Sequence, residues 1–119
     1  MLLVYVDENS PARIADHTAK GCDGLAERLM ENGQYVSGGI LHPTCTATSV
    51  QLRDGQRLVT DGPFAETREQ LAGYLLVAAE DLDEAISIAS QHPVAKIGTI
   101  EIRPVKEIPS LPLHLNESD

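Results

Sequence analysis

The sequence predicts one α+β domain, in which an antiparallel sheet packs against two helices. Short aliphatic and β-branched runs alternate with two amphipathic segments of helical period, and turn residues separate them. The 119 residues suffice for one compact domain and are too few for two. With three Tyr, one Phe and no Trp, the core is expected to be aliphatic.

The first strand and helix are predicted within residues 1–33. Met1 to Val6 is apolar and ends at Asp7, which favours a buried strand over a secretory leader. Ser10-Pro11 is a plausible helix entry, and Asn32-Gly33 a helix stop. One apolar stripe at i, i+3, i+4 and i+7 is predicted to be buried, namely Cys22, Leu25, Ala26 and Leu29.

A second strand and a hairpin are predicted next. Tyr35 to Leu41 has strand character, and residues 47–53 and 56–60 form two further strand-like runs. Asp54-Gly55 lies between these runs, a pair typical of a type I′ turn because both central residues need positive φ. Gly62-Pro63 then ends the hairpin, since proline has no N–H for a strand ladder.

The last core elements are a central strand, a capped helix and an edge strand. Residues 73–79 are almost uniformly apolar, as in a strand covered on both faces. Asp81 is predicted to be the N-cap of the second helix, with Glu84 three residues later. Its buried stripe is predicted to be Leu82, Ala85, Ile86 and Ala89. Residues 99–105 alternate, with Ile100 and Ile102 facing inward.

Without the hairpin, the predicted order is βαββαβ, the ferredoxin-like arrangement with both helices on one face of the sheet. A second copy is the usual cover for the other face, which gives a dimeric α+β barrel with a cleft between sheet and helices. The domain is expected to span residues 1–105. The apolar tail, residues 106–119, is expected to pack on this domain or on the partner subunit.

Charge and cysteine content indicate which partners and which cellular compartment to expect for this protein. The net charge of −9 disfavours contact with nucleic acid or an anionic membrane, and no apolar run approaches the length of a membrane span. Cys22 and Cys45 are isolated, which favours two reduced thiols in a cytoplasmic protein. We expect no cofactor and no metal, because no nucleotide-binding glycine motif and no metal-ligand histidine spacing occurs.

The most specific motif is Asp61-Gly-Pro-Phe-Ala-Glu-Thr67. Together with the opening Met-Leu-Leu-Val-Tyr and the closing Gly-Thr-Ile-Glu-Ile-Arg-Pro-Val, it resembles the DGPF branch of the YCII-related proteins. The resemblance implies a small bacterial domain whose activity is mostly unassigned. Similar dimeric α+β barrels include isomerases, dehydrochlorinases and cofactor-free oxygenases, and some relatives resemble partners of alternative sigma factors.

Three candidate site residues follow from chemistry, each with a structural alternative. Asp61 is a candidate general base or hydroxyl-orienting group, or else it caps the turn. Arg103 is a candidate clamp for an anionic, carboxylate-bearing ligand, or else it forms a salt bridge with Glu66, Glu69 or Glu101. Phe64 is interpreted mainly as a core residue and otherwise as part of a ligand platform.

Three further candidates involve thiol and imidazole groups. YCII-type proteins are thought to use a His on the first helix and an Asp before the Pro that follows the second helix. The resemblance places these positions at Cys22 and His92, so the chain departs from that pair. Cys22 is either a nucleophile activated by His92 or an inert core residue. His42, near Gly38-Gly39, is a candidate cleft residue.

Two functions therefore stay open, beside the third possibility of a stable dimer whose pocket is vestigial. The first is a small-molecule enzyme or ligand-binding domain that uses a cleft near Asp61 and Arg103. The second is a regulatory module that contacts a protein partner through its acidic surface and apolar tail.

Overall fold

In a computed structural model, residues 1–9 and 19–107 are described, without the side chains of residues 19–23. The predicted helix entry at Ser10-Pro11 and residues 108–119 of the tail lie outside the described residues. The elements in chain order are β1 (Leu2–Val6), α1 (Ala19–Glu31), β2 (Tyr35–Ile40), β3 (Thr48–Arg53), β4 (Gln56–Asp61), β5 (Gln70–Val77), α2 (Leu82–Ser90) and β6 (Thr99–Ile102). Short 3₁₀ turns cover Thr44–Thr46 and Pro93–Lys96.

The main sheet has four strands in the order β2-β5-β1-β6, and every neighbouring pair is antiparallel. β1 and β5 are central, although they are distant in sequence, because β5 returns between β2 and β1. The predicted α+β class is confirmed, and the topology is consistent with a ferredoxin-like fold. β3 and β4 pair only with each other in the described part and form a separate two-stranded ribbon.

The core lies between the sheet and the two described helices. Leu2, Val4 and Val6 alternate along β1 and are almost fully buried on one face of the sheet, as the period of a strand requires. Leu2 packs in one cluster with Leu25, Leu29, Ile88 and Ala89 of the helices, and Val4 and Val6 pack in a second cluster with Ala72 and Val94. Each large aliphatic side chain buried in this way contributes about 1.5–3 kcal/mol to stability.

The other face of the sheet carries apolar side chains that no described helix covers. Leu3 and Tyr5 alternate with the buried residues of β1, and they pair with Tyr74 and Leu71 of β5. Because paired residues of antiparallel strands project to the same side, these four residues share one surface. We call this surface, made of Leu3, Tyr5, Leu71 and Tyr74, the open face.

The buried stripe predicted for α2 is partly wrong. The structure buries Ala85, Ile88 and Ala89, whereas Leu82 and Ile86 are 62% and 47% exposed. The sequence contains two overlapping apolar stripes at helical spacing, one with Leu82 and Ile86 and one with Ile88. Ile88 and Ala89 pack in the cluster around Leu2, so the helix buries the stripe that contains Ile88. The predicted cap is confirmed, because Asp81 Oδ1 accepts from the Glu84 N–H at 2.8 Å.

The ribbon exposes apolar side chains on both of its sides. Val50 pairs with Val59, and Asp54 and Gly55 at the tip have φ angles of 52° and 77°, as a type I′ turn requires. Its large apolar side chains are 46–67% exposed, namely Val50, Leu52, Leu58 and Val59. A two-stranded ribbon is marginal without a packed face, so this surface is suited to contact with another molecule.

Candidate functional site

A cavity of about 600 Å³ lies at the Tyr5 end of the open face. Its walls come from the end of β1, the loop after β2, the base of the ribbon and the segment after Pro63. Tyr5 and Leu71 of the open face contribute to it, together with His42 and Phe64. The volume is within the range of small-molecule sites in proteins.

The Asp61-Gly62-Pro63 turn leads into one wall of this cavity, to which Pro63 contributes. Gly62 has φ of +101°, which a residue with a Cβ adopts only under strain, so glycine is required by the backbone here. The Gly62 N–H donates to the Ala47 carbonyl at 2.7 Å, and the Ser49 hydroxyl donates to the Gly62 carbonyl at 2.7 Å. The turn is thereby tied to β3, and the chain beyond Pro63 is directed along the cavity.

A hydrogen-bond network behind the cavity joins three distant parts of the chain. The Glu8 carboxylate accepts from the Thr44 N–H and from the Thr44 hydroxyl, each at 2.8 Å. The Glu8 N–H in turn donates to Gln70 Oε1 at 3.0 Å. These bonds connect the residues after β1, the loop after β2 and the start of β5, so the wall is held by side chains as well as by strand pairing.

Two polar groups of the cavity lining are available to a ligand. Within the described residues, the Tyr5 hydroxyl and the His42 imidazole form no hydrogen bond to another residue. The other polar side chains of the lining are already bonded, namely Thr44 to Glu8, Thr46 to the Pro43 carbonyl, Thr67 to the Glu69 carbonyl, and Gln70 to Glu8 and the Thr67 carbonyl. Tyr5 and His42 are therefore the polar side chains of the lining that form no hydrogen bond within the described residues, whereas each bonded threonine hydroxyl has used its donor and keeps acceptor lone pairs.

His42 and Phe64, two of the predicted site residues, lie in the walls of the same cavity. The interpretation of Phe64 as a core residue is wrong, because Phe64 is 88% exposed. The reason is local: the turn at Gly62 and Pro63 carries the chain away from the aliphatic core, so the only Phe of the sequence follows a surface path.

Asp61 ends β4 beside this turn and is exposed. Its carboxylate accepts no hydrogen bond from a described residue, so the turn is held by the Gly62 backbone and by Ser49 rather than by an Asp61 cap. Asp61 itself is outside the lining of the cavity.

Arg103 lies at the other end of β1 from Tyr5. Its N–H donates to the Met1 carbonyl at 2.8 Å, and its side chain lines a second cavity of about 310 Å³ next to Leu82. The guanidinium forms an ion pair with Glu101 at 3.1 Å, which is one of the salt bridges considered from the sequence. The fold thus separates Arg103 from the cavity that contains His42.

His92 is buried and caps the 3₁₀ turn Pro93–Lys96. Its Nδ1 accepts from the Val94 N–H at 3.1 Å, so the neutral imidazole carries its proton on Nε2. The Cys22 side chain lies outside the described residues, and the pairing of Cys22 with His92 stays a prediction. Cys45, in the turn Thr44–Thr46, has a free and exposed thiol.

Several residues of the cavity were missed by reading the sequence. The sequence around Tyr5 signals only a strand, although its place between the buried Val4 and Val6 puts Tyr5 on the opposite face. Glu8, Thr44 and Gln70 carry no local signal, because their contacts join positions 36 and 62 residues apart.

The described residues contain no helix that is both long and apolar enough to cross a membrane. They also contain no group of three or more His, Cys, Asp or Glu residues arranged to hold a metal ion.

Comparison with known proteins places the chain in a family. The model of the YCII-related domain matches residues 1–109. An uncharacterized protein of Rhizobium meliloti (strain 1021) is 32% identical over 110 residues, an alignment that covers 87% of this chain and 89% of that protein. This confirms the YCII-related part of the resemblance, and the chain belongs to the family of proteins with a YCII-related domain.

Proposed function

We propose that this protein is a homodimeric α+β barrel of the DGPF branch that binds a small molecule in the cavity bounded by Tyr5, His42 and Phe64. The observation that carries the proposal is the coincidence of a cavity of about 600 Å³ with two lining side chains, Tyr5 and His42, that form no hydrogen bond within the described residues. Binding pockets combine an apolar lining with a few such polar groups.

His42 is the candidate catalytic group of the same cavity. An imidazole is an effective general acid or base near neutral pH, and a substrate oxygen placed between it and the Tyr5 hydroxyl would gain both a proton-transfer partner and an orienting hydrogen bond. Asp61, at the edge of the turn, is the second candidate base. This enzymatic version of the proposal uses no cofactor.

Thermal-shift measurements over a panel of small metabolites test the binding site. We expect at least one compound to raise the melting temperature of the wild-type protein and to lose this effect in Ala65→Trp, which fills the cavity from its exposed rim. Ala95→Trp, at an exposed alanine outside the cavity, is the matched control and should keep the effect. A compound whose effect survives Ala65→Trp and disappears in Ala95→Trp would place the site elsewhere.

Dimerisation is supported by the open face and by the ribbon. Leu3, Tyr5, Leu71 and Tyr74 form an apolar surface on the side of the sheet without a described helix, and such surfaces on soluble domains mark contacts between proteins. Light scattering at micromolar concentration should give twice the chain mass of 12.8 kDa. A mass of one chain would overturn the barrel.

A regulatory module that binds a basic protein is the second candidate. The exposed apolar side chains of the ribbon favour it, because they offer a contact surface outside the cavity, and the net charge of −9 would attract a basic partner. Fluorescence anisotropy with a purified alternative sigma factor of the same genome tests this candidate. Binding that Leu52→Lys abolishes would support it, and absence of binding by the wild-type protein would exclude that partner.

A further inference from the structure

We infer that the occupant of the Tyr5–His42–Phe64 cavity is a neutral ring compound bearing a hydroxyl or carbonyl oxygen, an inference that rests on the proposed function and narrows its ligand class. The anionic ligand expected from the sequence required Arg103. That guanidinium lines the other cavity and is paired with Glu101, so it is not part of this site.

The charges around the cavity disfavour an anion. Among the described residues, its lining contains no Lys or Arg. The Glu8 carboxylate lies directly behind the wall, bonded to Thr44, and the molecule as a whole carries a net charge of −9. A carboxylate or phosphate that entered this cavity would lose its hydration and find no cationic partner in the lining. The negative charge of the protein would also repel it.

The hydrogen-bonding capacity of the lining fits one oxygen function. The phenolic hydroxyl of Tyr5 can donate and accept, and the two ring nitrogens of His42 offer further hydrogen-bonding positions. The threonine hydroxyls of the lining already donate within the protein, so a ligand with many acceptor groups would leave several of those groups unpaired. A hydroxyl or carbonyl oxygen on an otherwise apolar body satisfies the two free groups.

The shape of the lining favours a flat ring. Phe64 presents an exposed aromatic ring at the rim, and Tyr5, Pro43 and Pro63 add further rigid apolar surfaces. Aromatic side chains prefer offset-stacked or edge-to-face contacts with other rings. A volume of about 600 Å³ is within the range of pockets that hold small ring compounds.

Three probes of matched shape distinguish a neutral hydroxyl, a negative charge and a bare ring: 1-naphthol, 1-naphthoate and naphthalene. Each is titrated by fluorescence at pH 8. We expect 1-naphthol to bind at least tenfold more tightly than 1-naphthoate, and severalfold more tightly than naphthalene. Tyr5→Phe and His42→Gln should each weaken 1-naphthol towards the affinity of naphthalene, without changing the binding of naphthalene. Arg103→Gln should leave all three affinities unchanged.

The outcomes distinguish this inference from the proposed function. Binding of 1-naphthoate as tight as that of 1-naphthol, lost in Ala65→Trp, would overturn the neutral-ligand inference and leave the cavity as the site. If none of the three probes binds, or if binding is unaffected by Ala65→Trp, both fail. Melting curves of Tyr5→Phe and His42→Gln that coincide with the wild type show that a lost affinity is due to the missing polar atom and not to unfolding.

Discussion

Gly98 shows how a single residue sets the distance between two backbone segments. Its N–H donates to the Val94 carbonyl at 2.7 Å, at the end of the turn Pro93–Lys96 and just before β6. A Cβ at this position would overlap the Tyr5 carbonyl oxygen and would lie 3.0 Å from the Val94 side chain. Both neighbours belong to packed structure, so neither can move without disturbing β1 or the core.

Gly98→Ala should therefore destabilise the protein by about 1–3 kcal/mol, the usual range for overpacking. Gly24→Ala in α1 is the matched control, because its nearest neighbour would be Arg28 Nη1 at 3.8 Å. Alanine is the better helix former, so this control should gain about 0.5–1 kcal/mol. Urea unfolding checks both, and an unchanged midpoint for Gly98→Ala would contradict the close approach.

Phe64 marks the limit of single-residue prediction. A lone Phe in an aliphatic sequence suggests a core position by composition, yet it is 88% exposed because Gly62 and Pro63 direct the chain outward. The turn itself could be read from Gly-Pro, whereas the direction of the next side chain depends on how the turn is bonded to Ala47 and Ser49. The local sequence predicts the turn, whereas tertiary contacts determine whether the next side chain is buried or exposed.

At the scale of elements, α2 begins with a side-chain cap that the sequence predicted. Asp81 accepts from the Glu84 N–H, and Glu84 Oε1 accepts from the Glu80 N–H at 3.0 Å and from Gln34 Nε2 at 3.0 Å. The cap thus satisfies N–H groups at the start of the helix, and it also links α2 to the chain after α1.

Asp81→Ala should lower the free energy of unfolding by about 1 kcal/mol, since the Glu84 N–H loses its acceptor. Asp81→Asn is the control, because asparagine caps about as well as aspartate and should retain most of the stability. Chemical denaturation measures the difference. Equal losses in the two variants would mean that the charge of Asp81, not its hydrogen bond, stabilises the helix start.

Elements were predictable where their signals are local. The strands, the Asp54-Gly55 tip and the Asp81 cap all depend on residues within a few positions of one another. Which face of α2 is buried depends on its contact with β1, so the spacing of apolar residues in the sequence could not decide between two possible buried stripes. The cavity is harder to predict from sequence, because its walls come from β1, the loop after β2 and the segment after Pro63, which are distant in the chain. The sequence also gives no sign that Arg103 lies outside it.

The two sides of the main sheet differ in what covers them within the described residues. One side is closed by α1 and α2 over Leu2 and its neighbours, whereas the open face has no described helix. Covering that face with a second copy would also enclose the Tyr5 and Leu71 wall of the cavity, so assembly and ligand binding would be coupled by mass action.

Leu71→Glu tests this arrangement. Leu71 is 37% exposed and pairs with Tyr5 on the open face, so a carboxylate there would be desolvated in a dimer without a cationic partner. We expect the dissociation constant of the proposed dimer to rise at least tenfold, a change of about 1.4 kcal/mol. Leu82→Glu is the matched control on α2, where leucine is 62% exposed, and it should leave the dimer intact. Sedimentation equilibrium measures both constants, and dissociation caused by Leu82→Glu alone would place the subunit contact on the helical side.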